Sequence, residues 1–110
     1  MLIRDMRRED KPRERFAKAP ALASMTDLVA ILLRTGRKGC SVMELAREVV
    51  DELETTCGIH GYEDLHWRDL LSIKGIGKDK AVTLCAAIEL GRRLSSQHRK
   101  QDLIDLSTPE

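Results

Sequence analysis

An all-α fold, a compact helical bundle, is what this sequence predicts, and three observations predict it. Its apolar residues recur at helical spacing, its turns fall at glycine pairs, and its 42% hydrophobic content includes only 3% aromatic residues. A core drawn from Leu, Ile, Val and Ala favours helix over sheet. At 110 residues the chain holds one domain with tails. The expected division is a basic arm over 1–20, a domain over 21–94, and a linker over 95–110 that leads toward a further domain.

The arm is charged and poorly periodic, with a helical turn expected near 13–17 after Pro12. Ser24 suits an N-cap, with Asp27 as its capping-box partner. The first domain helix follows over 25–34. Its run Leu28-Val29-Ala30-Ile31-Leu32-Leu33 is apolar on nearly every side, so it is expected to be the most buried helix. Thr35-Gly36-Arg37-Lys38-Gly39 then breaks it. Ser41, with Glu44 at the reciprocal position, caps a second helix whose Val42, Leu45, Ala46, Val49, Val50 and Leu53 share one face. The opposite face is acidic, and Cys57-Gly58 ends the helix. A short turn is expected over 59–64, a third helix over 65–73 and a fourth over 78–94. The fourth should bury Ala81, Leu84, Cys85 and Ile88, with Val82, Ala87 and Leu90 beside them. Leu28, Ile31, Leu32, Val49, Leu71, Ile73, Ile76, Leu84 and Ile88 form the expected common core.

The two glycine turns make an internal near-repeat. Leu32-Leu33-Arg34-Thr35-Gly36-Arg37-Lys38-Gly39 is echoed by Leu71-Ser72-Ile73-Lys74-Gly75-Ile76-Gly77. Two such units can pack about a pseudo-twofold axis on a shared core, whereas one alone buries too little surface to be stable.

Leu70-Leu71-Ser72-Ile73-Lys74-Gly75-Ile76-Gly77-Lys78-Asp79-Lys80-Ala81 reads as a helix-hairpin-helix. Gly75 and Gly77 allow a sharp turn and close backbone approach, Ile76 pins the turn to the core, and Ala81 keeps the helices close. The first amides of the following helix lack intrahelical acceptors and sit at the positive end of its dipole, so they suit an anionic oxygen. Lys74, Lys78 and Lys80 add charge. The candidate DNA-binding residues are therefore Lys74, Gly75, Ile76, Gly77, Lys78 and Lys80. Thr35, Gly36, Arg37, Lys38 and Gly39 form a secondary candidate contact, disfavoured by the acidic helix beside them. Backbone amides on phosphates read no sequence, so binding should be sequence-independent and salt-sensitive.

Charge distribution agrees with a localised phosphate-binding face. Residues 68–100 carry eight basic and three acidic side chains, while 21–67 carry four basic and eight acidic, although the chain as a whole is only +1. The competing reading is a packing element or a protein-docking module.

Other chemistries find little support. No apolar run approaches the roughly 20 residues of a membrane span, and residues 1–15 lack the apolar stretch of a secretory signal. Three cysteines, Cys40, Cys57 and Cys85, fit reduced thiols in a cytoplasmic protein. Cys57 and His60 with His66 give too few ligands for zinc. Cys85 lies on an apolar face, and Trp67 suits packing better than base stacking. No catalytic residue, metal or cofactor is expected.

The sequence resembles the N-terminal helix-hairpin-helix domain of the bacterial RadC family. The resemblance rests on Lys11-Pro12-Arg13-Glu14-Arg15, Leu28-Val29-Ala30-Ile31-Leu32-Leu33-Arg34-Thr35-Gly36, Val42-Met43-Glu44-Leu45-Ala46, Ile73-Lys74-Gly75-Ile76-Gly77 and Glu89-Leu90-Gly91-Arg92-Arg93. Leu106-Ser107-Thr108-Pro109-Glu110 resembles the entry to the family's second domain. Met25-Thr26 and Trp67 depart from the family pattern. The resemblance implies a fold like the second domain of RuvA, or SAM-like, and a cytoplasmic protein associated with DNA repair. It also implies a C-terminal domain similar to JAMM-type metal-dependent peptidases, which would be a partner for this one. That domain's metal motif is not in this sequence, so the resemblance transfers no hydrolase activity to it. A monovalent cation held by carbonyls of the Gly75–Gly77 turn is implied by resemblance alone.

Overall fold

The computed structural model describes residues 11–57 and 65–107, with the side chains at 56–57 and 98–107 left outside that description. The arm before residue 11, the expected turn over 59–64 and His60 therefore lie outside the described residues. The first helix, α1, covers residues 11–18. Pro12 is fully buried there, and a single 3-10 turn, Pro20–Leu22, follows.

Helix α2 runs Met25–Leu33 and begins as the sequence predicts. The Ser24 hydroxyl accepts the Asp27 amide at 3.0 Å, and the Asp27 carboxylate accepts the Ser24 amide at 3.1 Å. Arg34 ends the helix with φ of 72°, donating its amide to the Ala30 carbonyl. Helix α3, Val42–Cys57, starts where Ser41 Oγ accepts the Glu44 amide at 3.2 Å. It is α3, not α2, that lies deepest: Leu45, Ala46 and Val49 are wholly buried. A domain this small cannot enclose a helix that is apolar all round, so α2 keeps Leu28 at the surface while Val29, Ala30 and Leu33 face in.

The expected third α-helix is instead a 3-10 helix, Trp67–Ser72. His66 caps it: its Nδ1 accepts the Arg68 amide at 3.1 Å, and Asp69 accepts the His66 amide at 2.9 Å. Six residues closed by the Ile73 amide on the Leu70 carbonyl favour the tighter winding. Leu70 is buried, but Leu71, placed in the core by sequence, is exposed. A 3-10 ridge turns its neighbours outward at a different phase from an α-helix.

Helix α4 spans Lys78–Ser107, thirteen residues beyond the expected end at Leu94. Between Gly91 and Pro109 the sequence holds neither glycine nor proline, and Glu89 pairs with both Arg92 and Arg93, so nothing stops the helix. Ala81 and Leu84 are buried and Cys85, Ala87 and Ile88 partly so, whereas Val82 and Leu90 are exposed, contrary to the sequence expectation.

Helix α2 packs on α3, the 3-10 helix packs on α4, and α2 meets α4 across the core. Leu33, Leu45, Val49, Leu70 and Leu84 fill the centre. The chain is all-helical, with no strand among the described residues; the only extended pairing there is an isolated bridge between Arg37 and Cys40.

Asp27 is the one charged side chain buried among the described residues. Arg15 of α1 grips it with both Nε, at 3.2 Å from Oδ2, and Nη2. That guanidinium, with the Ser24 amide and hydroxyl, holds the Asp27 carboxyl below its ordinary value against the opposing effect of desolvation. A depressed folded pKa stabilises the fold above the unfolded value and is lost as pH falls through the folded one. Asp27→Ala should therefore cost about 1–3 kcal/mol at neutral pH, through the lost Arg15 pair and the lost acceptor for the Ser24 amide. The difference from the parent should shrink as pH falls below about 4, as read by denaturant unfolding of both proteins across pH.

Candidate nucleic-acid interface

The turn between the 3-10 helix and α4 is built as its sequence suggests. The Ile76 amide donates to the Ile73 carbonyl at 3.0 Å, and the Ile76 side chain is buried. Gly75 adopts φ of 95°, a region that disfavours any residue with a Cβ. Gly77 differs: its φ is not positive, and a Cβ there would meet nothing within 4 Å. The two glycines thus differ: the backbone conformation requires glycine at Gly75, whereas neither conformation nor space requires it at Gly77.

Helix α4 closes its first bond from the Ala81 amide to the Gly77 carbonyl at 3.0 Å. The amides of Lys78, Asp79 and Lys80 precede that bond and have no intrahelical acceptor, so they form an open donor set at the positive end of a long helix. Asp79 stands in the same first turn and favours the helix while opposing an incoming anion. Its side chain takes none of these amides in the described hydrogen bonds, which use only its backbone carbonyl.

The three lysines of this segment are not equivalent. Lys74 and Lys78 are exposed, and Lys78 Nζ lies 5.4 Å from the centre of the Trp67 ring. Arg68 stands over the same ring at 5.3 Å. Trp67, partly buried against the core, therefore carries two cations beside it. Lys80 is only half exposed, and its ammonium donates to the Thr35 carbonyl at 2.6 Å and to Thr35 Oγ1 at 3.1 Å. That internal tie was not legible in the sequence, because its partner lies 45 residues away.

The first glycine turn sits against the second. Arg37 Nη1 donates to the Lys74 carbonyl at 2.7 Å, and both Nη atoms reach the Glu48 carboxylate, the nearer at 3.1 Å. The Arg37 stem packs where a Cβ on Gly75 would come, 2.8 Å from Cδ. Arg37 and Cys40 exchange two backbone bonds, with Lys38 and Gly39 exposed at the tip. Of the second candidate set, Thr35 and Arg37 are thus engaged with the partner turn, Gly36 is packed on backbone, and Lys38 and Gly39 face solvent.

No group of His, Cys, Asp and Glu able to hold a metal ion occurs among the described residues. No helix there is long and apolar enough to cross a membrane.

A family model described as UPF0758 N-terminal matches residues 3–82. A UPF0758 protein of Geobacillus thermodenitrificans is 46% identical over 94 residues, covering 84% of this chain and 40% of that protein. One from Bacillus pumilus is 40% identical across the whole chain and 48% of its own length. One from Thermotoga maritima is 40% identical over 94 residues, 84% of this chain and 40% of that protein. The chain thus spans less than half the length of these curated relatives. No solved structure matches it.

Proposed function

The chain belongs to the UPF0758 N-terminal family, and from that premise we propose that it is a sequence-independent DNA-binding module that grips the phosphate backbone at the start of α4. The observation that carries this reading is the juxtaposition, at one open turn, of acceptor-free amides with the exposed Lys74 and Lys78 and a Gly77 with nothing in front of it. Amides and ammonium groups together match a phosphodiester oxygen and ignore the base.

On this reading the fold is a pair of helix-hairpin-helix units, and the protein is a RadC-like, DNA-repair-associated protein of the bacterial cytoplasm. The pairing of α2 with α3 and of the 3-10 helix with α4 supports the two-unit organisation. The module binds rather than catalyses; any hydrolysis belongs to a domain like the JAMM-type peptidases that the resemblance implies.

A second reading, a protein-docking or packing module, has one observation in its favour. An apolar groove of about 400 Å³ opens between α2 and α4, lined by Met25, Leu28, Leu32, Leu53, Ala87 and Ile88. Exposed apolar grooves are where helical modules receive partners.

Salt dependence separates the two. Titration with unrelated duplexes, followed by fluorescence of the single tryptophan, Trp67, should give equal affinities. With two lysine contacts, log affinity should fall against log salt with a slope of roughly −2. Lys74→Glu with Lys78→Glu should abolish most binding while leaving the melting curve near the parent's. An unchanged affinity in that folded double variant, or association indifferent to salt, favours docking instead.

A further inference from the structure

The two glycine turns are joined by crossed cation–carbonyl contacts. Arg37 of the first turn holds the Lys74 carbonyl of the second, at 2.7 Å, while Lys80 just beyond the second turn holds the Thr35 carbonyl of the first, at 2.6 Å. We infer that Arg37 is a positioning residue of the phosphate-binding turn, with Lys80 as its counterpart, and that neither cation contacts the DNA. The inference rests on the DNA-binding reading above.

The geometry gives Arg37 three tasks at once. Its fork on Glu48 of α3 anchors the guanidinium to the core helix. The remaining donor capacity fixes the Lys74–Gly75 peptide, whose orientation sets the φ of 95° at Gly75 and hence the direction of the amides that follow. Its methylene stem fills the space beside Gly75 that any side chain there would need. A planar fork with several donors can satisfy Glu48 and a carbonyl together; a lysine ammonium on a flexible stem holds neither in fixed geometry. The guanidinium also covers the carbonyl dipole and neutralises Glu48, two negative features that would otherwise stand beside the phosphate. Lys80 is spent in the same way on Thr35, so the binding charge comes from Lys74 and Lys78.

Salt slopes distinguish a positioning cation from a contacting one, because only a cation that neutralises a phosphate releases counterions. Lys78→Gln should lower the magnitude of the slope by about 0.9. Arg37→Gln should weaken duplex binding about tenfold, as loss of a charge-assisted hydrogen bond would, and leave the slope at the parent value. Arg37→Lys, which keeps the charge and much of the stem, should fail to restore affinity. Both variants are titrated well below their melting points, and should Arg37→Gln not fold, Arg37→Lys carries the test alone. A slope that falls by about one unit in Arg37→Gln, or parent affinity in Arg37→Lys, would overturn the inference while leaving DNA binding intact. Absence of salt-dependent binding in the parent, or an Lys78→Gln protein that binds as the parent does, would instead remove the reading on which it rests.

Discussion

Replacing Gly36 by alanine should cost this domain a large share of its stability. A Cβ built at Gly36 would lie 2.2 Å from the Cys40 carbonyl oxygen, 2.6 Å from the Ser41 carbonyl carbon and 2.7 Å from the Val42 nitrogen. All three are backbone atoms at the entry to α3, so no side chain can swing aside to relieve the overlap. The relief must come from moving the start of α3 away from α2, which withdraws the buried Val42 and its neighbours from the core. Overpacking of this kind costs about 1–3 kcal/mol where side chains yield, and more where backbone must move. The loss should be roughly 4 kcal/mol or greater against a total of about 5–15 kcal/mol. Denaturant unfolding would read it directly. Gly39→Ala is the control: its φ of 78° strains alanine, but the space around it is open, so about 1 kcal/mol is expected. A Gly36→Ala protein that unfolds near the parent's midpoint would show that the first turn does not approach α3 in this way.

Gly36 also shows where sequence reasoning stops. As part of a glycine-bearing turn it reads as a candidate phosphate contact, because a glycine that admits a ligand and a glycine that admits another backbone look alike in sequence. Only the position of α3 separates them. Lys80 follows the same pattern: spacing places it beside Lys78 as one charge of a cluster, whereas its head is turned to Thr35. Local features were more legible. The capping box at Ser24 and Asp27, the cap at Ser41, the buried Ile76 and the positive φ available at Gly75 depend on residues within a few positions of one another. The errors in burial have a different source. Leu28 and Leu71 are apolar, but Leu71 sits on a 3-10 rather than an α ridge, and Leu28 on a helix with too few neighbours to cover it. The length of α4 is hard to read because the polar residues after Leu94 resemble a linker, although they carry no helix-stopping residue.

The second large effect concerns binding at Gly77. A Cβ there meets no atom within 4 Å and requires no positive φ, so the fold should accept valine at a cost of about 1 kcal/mol for a poorer N-cap. On the proposed reading a phosphate reaches the Lys78, Asp79 and Lys80 amides past Gly77, and a branched side chain would stand in its way. The contrast with Gly75→Val is informative, since that change forces valine into φ of 95° and against the Arg37 stem. Gly75→Val should lower stability and binding together, whereas Gly77→Val should lower binding almost alone. The decisive measurement is therefore the affinity of Gly77→Val for duplex DNA at low salt, taken well below a melting point shown to be near the parent's. Phosphate held on the α4 amides predicts a loss of at least about tenfold, or 1.4 kcal/mol; a folded Gly77→Val protein that binds duplex as tightly as the parent would contradict it.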